Sequence, residues 1–576
     1  MRTLVRPWGL SLAVVALWTA AMSGQTNVVT WHNDNWRDGL NSGEATLNQS
    51  TVSPGQFGKI CSTTVDGQVF AQPLVVVSGG NNTVYVVTMN DSIYELDGTN
   101  CNQINHVSLL QSGEKAVPCG DVGGVNCNTV KPIIGILGTP VIDPVSNTIY
   151  FVSETESTAG TCPSTRANSC FVHRLHALDL TTLAEKFNGP VAISGIYKKI
   201  AFTSKNHIQR PGLLFLPNTR KNGKGTVYIG FSEMDGTGTV GVNIPRGWVF
   251  GFPADNLSAA PVIWSSTPAG EGGGVWMAGA GLAAAADSPG GNTYLYINTG
   301  DGDFTANTGG TDYGDSFVKL TTTLANVPNG YFTPYAQACM NAGDEDFGSG
   351  GVLLFPDTGS NFYAVAAGKD ANLYVMDRAN PGGYTSPTNS TCPATGTNAD
   401  QEYFLGVTGH GYFTTPVYWN SLLFYAPTSA PVVRYHVSLT APPTCTPSPI
   451  CQKNTASTLN SFSYGTGLSI SSLGNTTGTA VLWAVNGNGW PRSGTNAPAP
   501  AVLYAYDAEH TIAPHNLAEL WDSAKCPTRD KAGNALKFTV PTIANGFVYL
   551  GSMDPGDSTN TQGELDIFGP TSAACN

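Results

Sequence analysis

The sequence lacks several features that mark common classes of enzyme and membrane protein. Charged residues make up only 12% of the 576 residues, so long helices are poorly supported. After the first two dozen residues no run approaches eighteen consecutive apolar residues, and no membrane span is expected. Neither Gly-x-Ser-x-Gly nor His-Glu-x-x-His occurs, which leaves hydrolase chemistry without local support.

Cysteine spacing and charge exclude further classes. No Cys-x-x-Cys pair is present, which argues against structural zinc, and no Cys-x-x-Cys-His motif is present to attach a haem covalently. The formal net charge is −13, so the chain is a poor candidate for binding nucleic acid or an anionic membrane surface.

Twelve cysteines are nevertheless present, which fits an oxidising compartment. Short loops favour three disulfides, and the other three pairs follow by elimination. The expected short pairs are Cys119–Cys127, Cys162–Cys170 and Cys445–Cys451, and the remaining pairs are Cys61–Cys101, Cys339–Cys392 and Cys526–Cys575.

The first residues are typical of a secretory signal peptide. Arg2 and Arg6 precede an apolar run over residues 10–21, and Ala21 and Ser23 are small residues at the two positions that a signal peptidase reads. We expect residues 1–23 to be removed and the protein to be secreted or periplasmic. A membrane anchor is the alternative, but the run is short for a bilayer.

The main positive feature is a strand phrase that recurs about every seventy residues, eight times in all. Each copy opens on small residues or Pro, continues through a β-branched and aromatic run, and often closes on Asp. Examples are the openings Thr139-Pro140-Val141 and Thr415-Pro416-Val417 and the closings Tyr94-Glu95-Leu96-Asp97 and Tyr374-Val375-Met376-Asp377. The pattern predicts an all-β, eight-bladed β-propeller rather than a series of separate sandwiches.

The unpaired ends of the repeat indicate how the ring closes. The last copy ends near residues 563–568 with no strand after it, whereas residues 57–65 form a strand before the first copy. We expect this N-terminal strand to become the outer strand of the last blade and remove an exposed edge. One domain then covers residues 27–570.

Acidic residues concentrate in loops that a propeller brings to one face. The loop before each first strand and the loop between the second and third strands emerge together around the axis. These loops contain Glu233, Asp235, Glu271, Trp276, Asp301, Asp303, Asp344, Glu345, Asp346, Lys369, Asp370, His410 and Asp554. An acidic mouth of this kind suits a hard cation and an aromatic ligand, although solvated loop acids are the plainer interpretation.

Several phrases resemble those of pyrroloquinoline-quinone (PQQ)-dependent alcohol dehydrogenases, which are eight-bladed quinoproteins. Residues 368–378, Gly-Lys-Asp-Ala-Asn-Leu-Tyr-Val-Met-Asp-Arg, are similar to a family phrase whose Lys or Arg touches the quinone, which implies that role for Lys369. Gly272-Gly273-Gly274-Val275-Trp276 resembles the phrase whose Trp lies under the cofactor ring.

Three more phrases extend the resemblance. Ile297-Asn298-Thr299-Gly300-Asp301 resembles a phrase with a calcium ligand, here Asp301, and Glu233 with the later Arg246-Gly247 resembles the family's Glu ligand. Glu345-Asp346-Phe347 resembles the phrase whose Asp is the general base. The order of the five roles along the chain also matches, but the family's adjacent cysteine pair is absent and its Trp-docking repeat is reduced to fragments.

The resemblance implies a quinoprotein that oxidises an alcohol or sugar with PQQ and calcium and passes electrons to a separate acceptor. Glu233 and Asp301 would hold calcium, Trp276 and Lys369 would contact the quinone, and Asp346 would be the catalytic base. A non-catalytic propeller that binds a protein or a carbohydrate is the alternative, and another enzyme on the same ring is a third. The sequence leaves the substrate and the oligomeric state open.

Overall fold

The structure is a computed structural model that describes residues 26–122, 130–233, 246–357, 361–398, 402–405, 410–439, 451–491, 497–512 and 515–575. The predicted signal peptide lies outside these ranges. So do Cys127, Cys445 and Asp235, so the two predicted disulfides that involve these cysteines are not tested.

Most strands belong to eight groups of four antiparallel strands, here called units 1–8 in chain order. Unit 1 contains Leu74–Ser78, Asn81–Val87, Ser92–Asp97 and Gln103–Ser108. Unit 2 contains Val141–Asp143, Thr148–Ser157, Phe171–Asp179 and Val191–Ala192. Unit 3 contains Leu214–Leu216, Thr226–Glu233, Trp248–Pro253 and Val262–Ser265. Unit 4 contains Ala283–Ala286, Thr293–Asn298, Phe317–Thr321 and Asn326–Thr333.

The second half of the chain continues the same pattern. Unit 5 contains Leu353–Leu354, Tyr363–Ala367, Asn372–Asp377 and Glu402–Leu405. Unit 6 contains Val417–Trp419, Leu422–Tyr425, Ala430–Val437 and Cys451–Phe462. Unit 7 contains Leu468–Ser471, Val481–Asn486, Val502–Ile512 and Asn516–Asp522. Unit 8 contains Thr542–Ala544, Phe547–Met553, Gly563–Pro570 and, as its fourth strand, Phe57–Val65.

The remaining elements are short. Additional strands are Leu40–Asn41, Glu114–Pro118, Ile133–Ile134, Ile196–Tyr197, Ile200–Ala201, His207–Ile208 and Gly383–Tyr384. The helices of the described residues are Cys162–Thr165 and Gln337–Gly343, with 3₁₀ turns at Asn168–Cys170, Ser204–Asn206, Lys221–Gly223, Met277–Gly279, Ala306–Thr308 and Phe347–Ser349. None of these helices is long and apolar enough to cross a membrane.

The predicted pairing of the N-terminal strand is present. Residues 57–65 run antiparallel to residues 563–570, with Phe57 opposite Pro570 and Val65 opposite Gly563. The strand therefore covers the edge that the last unit would otherwise expose.

Apolar clusters join consecutive units face to face. Each unit is packed against the next through buried side chains, from units 1 and 2 to units 7 and 8. A further cluster joins unit 8 to unit 1, with Tyr549 and Ile567 against Val84 and Leu96. β-Branched and aromatic residues dominate these contacts, because both faces of each sheet must be buried.

Residues 26–48, here called the inner segment, lie against the first strands of the units. Val28 and Val75 of unit 1 exchange two backbone hydrogen bonds of 2.8 and 2.9 Å. Backbone carbonyls of the segment then accept N–H groups in units 2, 4, 5, 6 and 7, in the pairs Val29–Ile142, Asn35–Ala284, Trp36–Leu354, Asp38–Tyr418 and Gly39–Ile470.

Side chains extend these contacts to the two other units. Asn35 Nδ2 donates to the carbonyl of Phe215 in unit 3 at 3.3 Å, and Asn41 Nδ2 donates to that of Ile543 in unit 8 at 2.8 Å. The inner segment therefore contacts all eight units in turn and covers the free edges of their first strands.

Four of the predicted disulfides are confirmed, with Cα–Cα distances of 5.4–6.0 Å. They are Cys61–Cys101, Cys162–Cys170, Cys339–Cys392 and Cys526–Cys575. Cys61 belongs to the strand that completes unit 8, and Cys101 lies between the third and fourth strands of unit 1, so this bond ties the two ends of the repeat together.

Candidate functional site

The five residues singled out in the sequence lie at ends of strands that point to one face. Glu233 is the last residue of the second strand of unit 3, and Asp301 and Lys369 follow the second strands of units 4 and 5. Trp276 and Asp346 precede the first strands of units 4 and 5. In an antiparallel meander these two kinds of loop emerge on the same side.

Asp301, Asp344, Asp346 and Lys369 form a compact charged cluster. The backbone N–H of Asp301 donates to Asp346 Oδ1 at 2.9 Å. Lys369 Nζ lies 2.5 Å from Asp346 Oδ2 and 2.6 Å from Asp344 Oδ1. Each of the three acids has a carboxylate oxygen within 4.8 Å of the others, which suits a hard cation.

Local backbone structure delivers Asp344 and Asp346 to this cluster. The helix Gln337–Gly343 ends at Asp344, which adopts a left-handed conformation with φ of 55°. The N–H of Glu345 then bonds to the carbonyl of Met340 at 3.0 Å, a typical helix C-terminal turn. The disulfide of Cys339 fixes the same helix to Cys392.

Two glycines allow the loops of units 3, 4 and 5 to approach closely. The N–H of Gly300 donates to the carbonyl of Gly274 at 2.9 Å. A Cβ at Gly300 would lie 2.5 Å from Asp346 Oδ1, and a Cβ at Gly274 would lie 2.1 Å from Glu233 Oε2. Any side chain at these positions would displace a carboxylate.

Burial and mutual charge separate the protonation states of the two aspartates. Burial raises the pKa of Asp301 to about 10, and the hydrogen bond and charge of Asp346 act in the same direction. Burial also favours the neutral form of Asp346, but its hydrogen bond with Asp301 and the Lys369 ammonium outweigh burial and lower its pKa. Near neutral pH, Asp301 is therefore neutral and Asp346 is ionised.

Lys369 stays charged because two carboxylates lie beside its ammonium. Burial lowers its pKa, but the carboxylates of Asp346 and Asp344 more than compensate, and the net pKa is raised. The side chain is 23% exposed.

Glu233 and Trp276 are the two other residues that the sequence singled out. Negative charge on Glu233 contributes to the raised pKa of Asp301, which places the two carboxyl groups within electrostatic reach. Trp276 is partly buried and packs against a cluster that includes Phe70, Ile208 and Trp490. The sharing of one ion by Glu233 and Asp301, and a cofactor role for Trp276, stay predictions.

The structure thus brings Asp301, Asp346 and Lys369 into contact. Sequence reasoning placed Asp344 on the rim but gave it no role, although it is one of the three clustered acids. Its position two residues before Asp346, at the end of a short helix, is the feature that could have indicated this role.

Comparison with known proteins identifies the fold. No family model matches the chain, and no curated protein gives a significant sequence match. The crystal structure of the quinohemoprotein alcohol dehydrogenase from Comamonas testosteroni matches with a TM-score of 0.50 and 13% identity, over 95% of this chain and 81% of that chain. A europium-containing methanol dehydrogenase matches with a TM-score of 0.51 and 13% identity, over 94% of this chain and 98% of that chain.

The chain shares a β-propeller fold with these two structures. At 13% identity the similarity concerns the fold of the propeller. One propeller fold hosts many functions, so the residues in the loops at one face, and not the fold, determine the activity.

Proposed function

We propose that the propeller is a quinoprotein-type oxidoreductase that oxidises an alcohol or a sugar with PQQ and calcium. The observation that carries this proposal is the contact of Asp301, Asp346 and Lys369 at one face. The structures with the same fold are named alcohol and methanol dehydrogenases, which supports it.

The proposal includes the architecture and location predicted from the sequence. The eight units would be the blades of one ring over residues 27–570, closed where residues 57–65 pair in unit 8. The cluster between units 8 and 1 supports this closure. Residues 1–23 would direct export to the periplasm or outside the cell and would then be removed. The disulfides of the protein are stable in that environment.

The acids fit a divalent cation. Calcium takes six to eight oxygen ligands, and Asp301, Asp344 and Asp346 offer carboxylate oxygens close enough to share one ion. Glu233 would complete the site from the unit 3 side, as predicted. Lys369 pairs with Asp344 and Asp346, so its ammonium would supply positive charge beside a bound cofactor.

The neighbouring residues fit a flat, anionic cofactor. Trp276 would provide the stacking surface and Lys369 the positive charge for the quinone oxygens. When bound, the quinone supplies the oxidising power, and calcium makes its carbonyl a better electron acceptor.

Asp346 is suited to accept the proton of the substrate hydroxyl. Lys369 and Asp301 hold its carboxylate ionised and orient both of its oxygens. A carboxylate fixed in this way can act as a general base, an effect of about 10²- to 10⁴-fold on rate. The substrate is a small molecule or a carbohydrate, and a separate protein or dye takes the electrons.

The test is to add PQQ and calcium to the purified protein and to follow cofactor absorbance and dye-linked oxidation of alcohols and sugars. Asp346→Asn keeps an amide oxygen that can bind the ion but cannot accept the proton, so it should retain cofactor uptake and lose about 10²-fold or more in kcat. Glu271→Gln, which changes an exposed acid outside the cluster, is the matched control and should leave both unchanged.

A protein that takes up no quinone with calcium would exclude this function. The second candidate is then a non-catalytic propeller that binds a protein or a carbohydrate. It is favoured by the ion pairs of Lys369, which already give Asp344 and Asp346 a cationic partner within the protein. Retained binding of a glycan or protein by the Asp346→Asn variant would support this candidate.

A further inference from the structure

Two lysines in loops at the face of the candidate site lie over aromatic rings. The Lys131 ammonium is 5.5 Å from the ring centroid of Trp490. The Lys537 ammonium is 4.6 Å from the ring centroid of Tyr464 and 5.0 Å from that of Phe538. All three distances are within the range of cation–π contacts. These five residues are here called the lysine–aromatic patch.

The patch uses the same two kinds of loop as the candidate site. Its residues precede a first strand or follow a second strand, as do Lys131 in unit 2, Tyr464 and Trp490 in unit 7, and Lys537 and Phe538 in unit 8. Trp276, the proposed stacking surface, and Tyr464 both pack against the apolar cluster that contains Trp490. One apolar cluster therefore connects the patch to the proposed cofactor site.

The support under Lys131 is rigid. Trp490 is 3% exposed, and its ring meets that of Phe70 in an edge-on contact with centroids 5.7 Å apart. Val130, the residue before Lys131, is buried in the same apolar cluster. The lysine is therefore held both at its backbone and at its ammonium group.

The positive charge of Lys131 is left for a ligand. An aromatic ring attracts a cation through its quadrupole, but it carries no net charge that could neutralise the cation. Burial lowers the pKa of Lys131, and no carboxylate of a described residue pairs with it to reverse this shift. Lys369 differs, because Asp344 and Asp346 hold its ammonium. A partly desolvated ammonium without an ionic partner gains from an anion that binds beside it.

The patch also offers apolar surface to the rest of a ligand. The rings of Tyr464 and Phe538 are partly exposed, next to the Lys537 ammonium. Small-molecule sites commonly combine aromatic walls with a few charged groups that fix the orientation of the ligand. An anionic group on a small carbon skeleton meets both requirements.

We propose that the lysine–aromatic patch binds an anionic group of the substrate, so that the substrate is an alcohol or a sugar that carries a carboxylate or a similar anion. The inference rests on the proposed oxidoreductase function for the oxidation of the hydroxyl group. Binding of the anion requires neither the quinone nor calcium, so the two functions are measured separately.

The test compares two alcohols that differ in charge. The probe 4-(hydroxymethyl)benzoate carries a carboxylate where 4-methylbenzyl alcohol carries a methyl group. In calorimetric titrations of the purified protein without quinone, the acid should bind about tenfold or more tightly than the neutral alcohol. With PQQ and calcium, dye-linked oxidation should favour the acid by a similar factor in kcat/KM, mainly through a lower KM.

Variants of the two lysines assign this preference to the patch. Lys131→Met removes the charge and keeps an apolar side chain over Trp490, so affinity for the acid should fall about tenfold while affinity for the neutral alcohol stays the same. Lys537→Met should act in the same direction, and Lys131→Arg should recover most of the affinity. Lys198→Met is the matched control. The Lys198 ammonium lies 5.6 Å from the ring centroid of Tyr197, in a hairpin outside the patch, and this variant should bind both alcohols like the wild type.

Equal affinity of the wild type for the two alcohols would overturn the proposal. So would unchanged affinity of Lys131→Met for the acid. Loss of quinone uptake in Lys131→Met would also overturn it, because Lys131 would then serve the cofactor and not the substrate. A wild type that prefers the acid but takes up no quinone would support the anion site and exclude only the oxidoreductase function.

Discussion

Arg37 is the side chain that most firmly attaches the inner segment to the propeller. It is fully buried. Its guanidinium donates five hydrogen bonds of 2.7–3.4 Å, to the carbonyls of Leu282, Trp31, Asp34 and Leu213 and to Thr30 Oγ1. Leu213 and Leu282 directly precede the first strands of units 3 and 4, so one side chain joins the segment to two units.

We predict that Arg37→Met destabilises the protein by about 3 to 5 kcal/mol. Methionine retains much of the side-chain length but leaves four buried carbonyls without this donor, and removing one member of a buried charged network costs about that much. In a chain of this size the loss corresponds to a Tm lower by about 3 to 4 °C, measured by calorimetry.

Arg166→Met is the matched control for this change. The Arg166 side chain is 48% exposed and forms an ion pair with Asp121 at 2.8 Å. Exposed pairs of this kind contribute about 1 kcal/mol or less. If Arg37→Met is no more destabilising than Arg166→Met, the hydrogen bonds of Arg37 do not attach the inner segment firmly to units 3 and 4.

Two further predictions concern His32 and the candidate site. His32 has a pKa of about 3 in the folded protein and about 6.5 in the unfolded chain, so the unfolded chain gains a proton first as the pH falls. The free energy of unfolding should therefore fall by about 2 kcal/mol between pH 8 and pH 5, relative to that of a His32→Gln variant. Equal pH profiles of the two proteins in denaturant titrations would contradict this. Gly300→Ala should displace the Asp346 carboxylate and weaken calcium binding at least tenfold in calorimetric titrations. Gly55→Ala is the control, because a Cβ there meets no atom within 4 Å, and this variant should bind calcium like the wild type. Equal calcium affinity of the two variants would show that the position of the Asp346 carboxylate does not depend on the close approach at Gly300.

The repeat allowed the positions of the strands, and the pairing of residues 57–65 with the last unit, to be predicted from sequence. Every first strand begins near a predicted opening, as at Val141 and Val417, because small residues and Pro there mark a crowded start of a strand. The strand at residues 57–65 was predicted to pair with the last unit because it had no local partner, and its register confirms this.

The inner segment could not be predicted in the same way. Its contacts to units 1, 2 and 4–7 use backbone N–H and carbonyl groups, which all residues except Pro carry, so they leave no periodic pattern. Asn35, Arg37 and Asn41 make side-chain contacts, but a single Arg or Asn has no sequence signature.

The sequence predicted which face of the propeller carries the candidate site, but it did not predict all the contacts between the site residues. The strand ends placed Asp301, Asp346 and Lys369 together correctly. The part played by Asp344 depends on a left-handed residue after a short helix, and that conformation is set by the surrounding loops.

The inner segment also joins the start of the chain to residues made hundreds of positions later. Asn41 bonds to Ile543, 502 residues further on, and Thr26 bonds to Asn545, 519 residues further on. Contacts of such long range form slowly, because a large loop must close before they contribute. As the polypeptide is synthesised from its N-terminus, its earliest residues must therefore wait without their final partners until synthesis has almost finished.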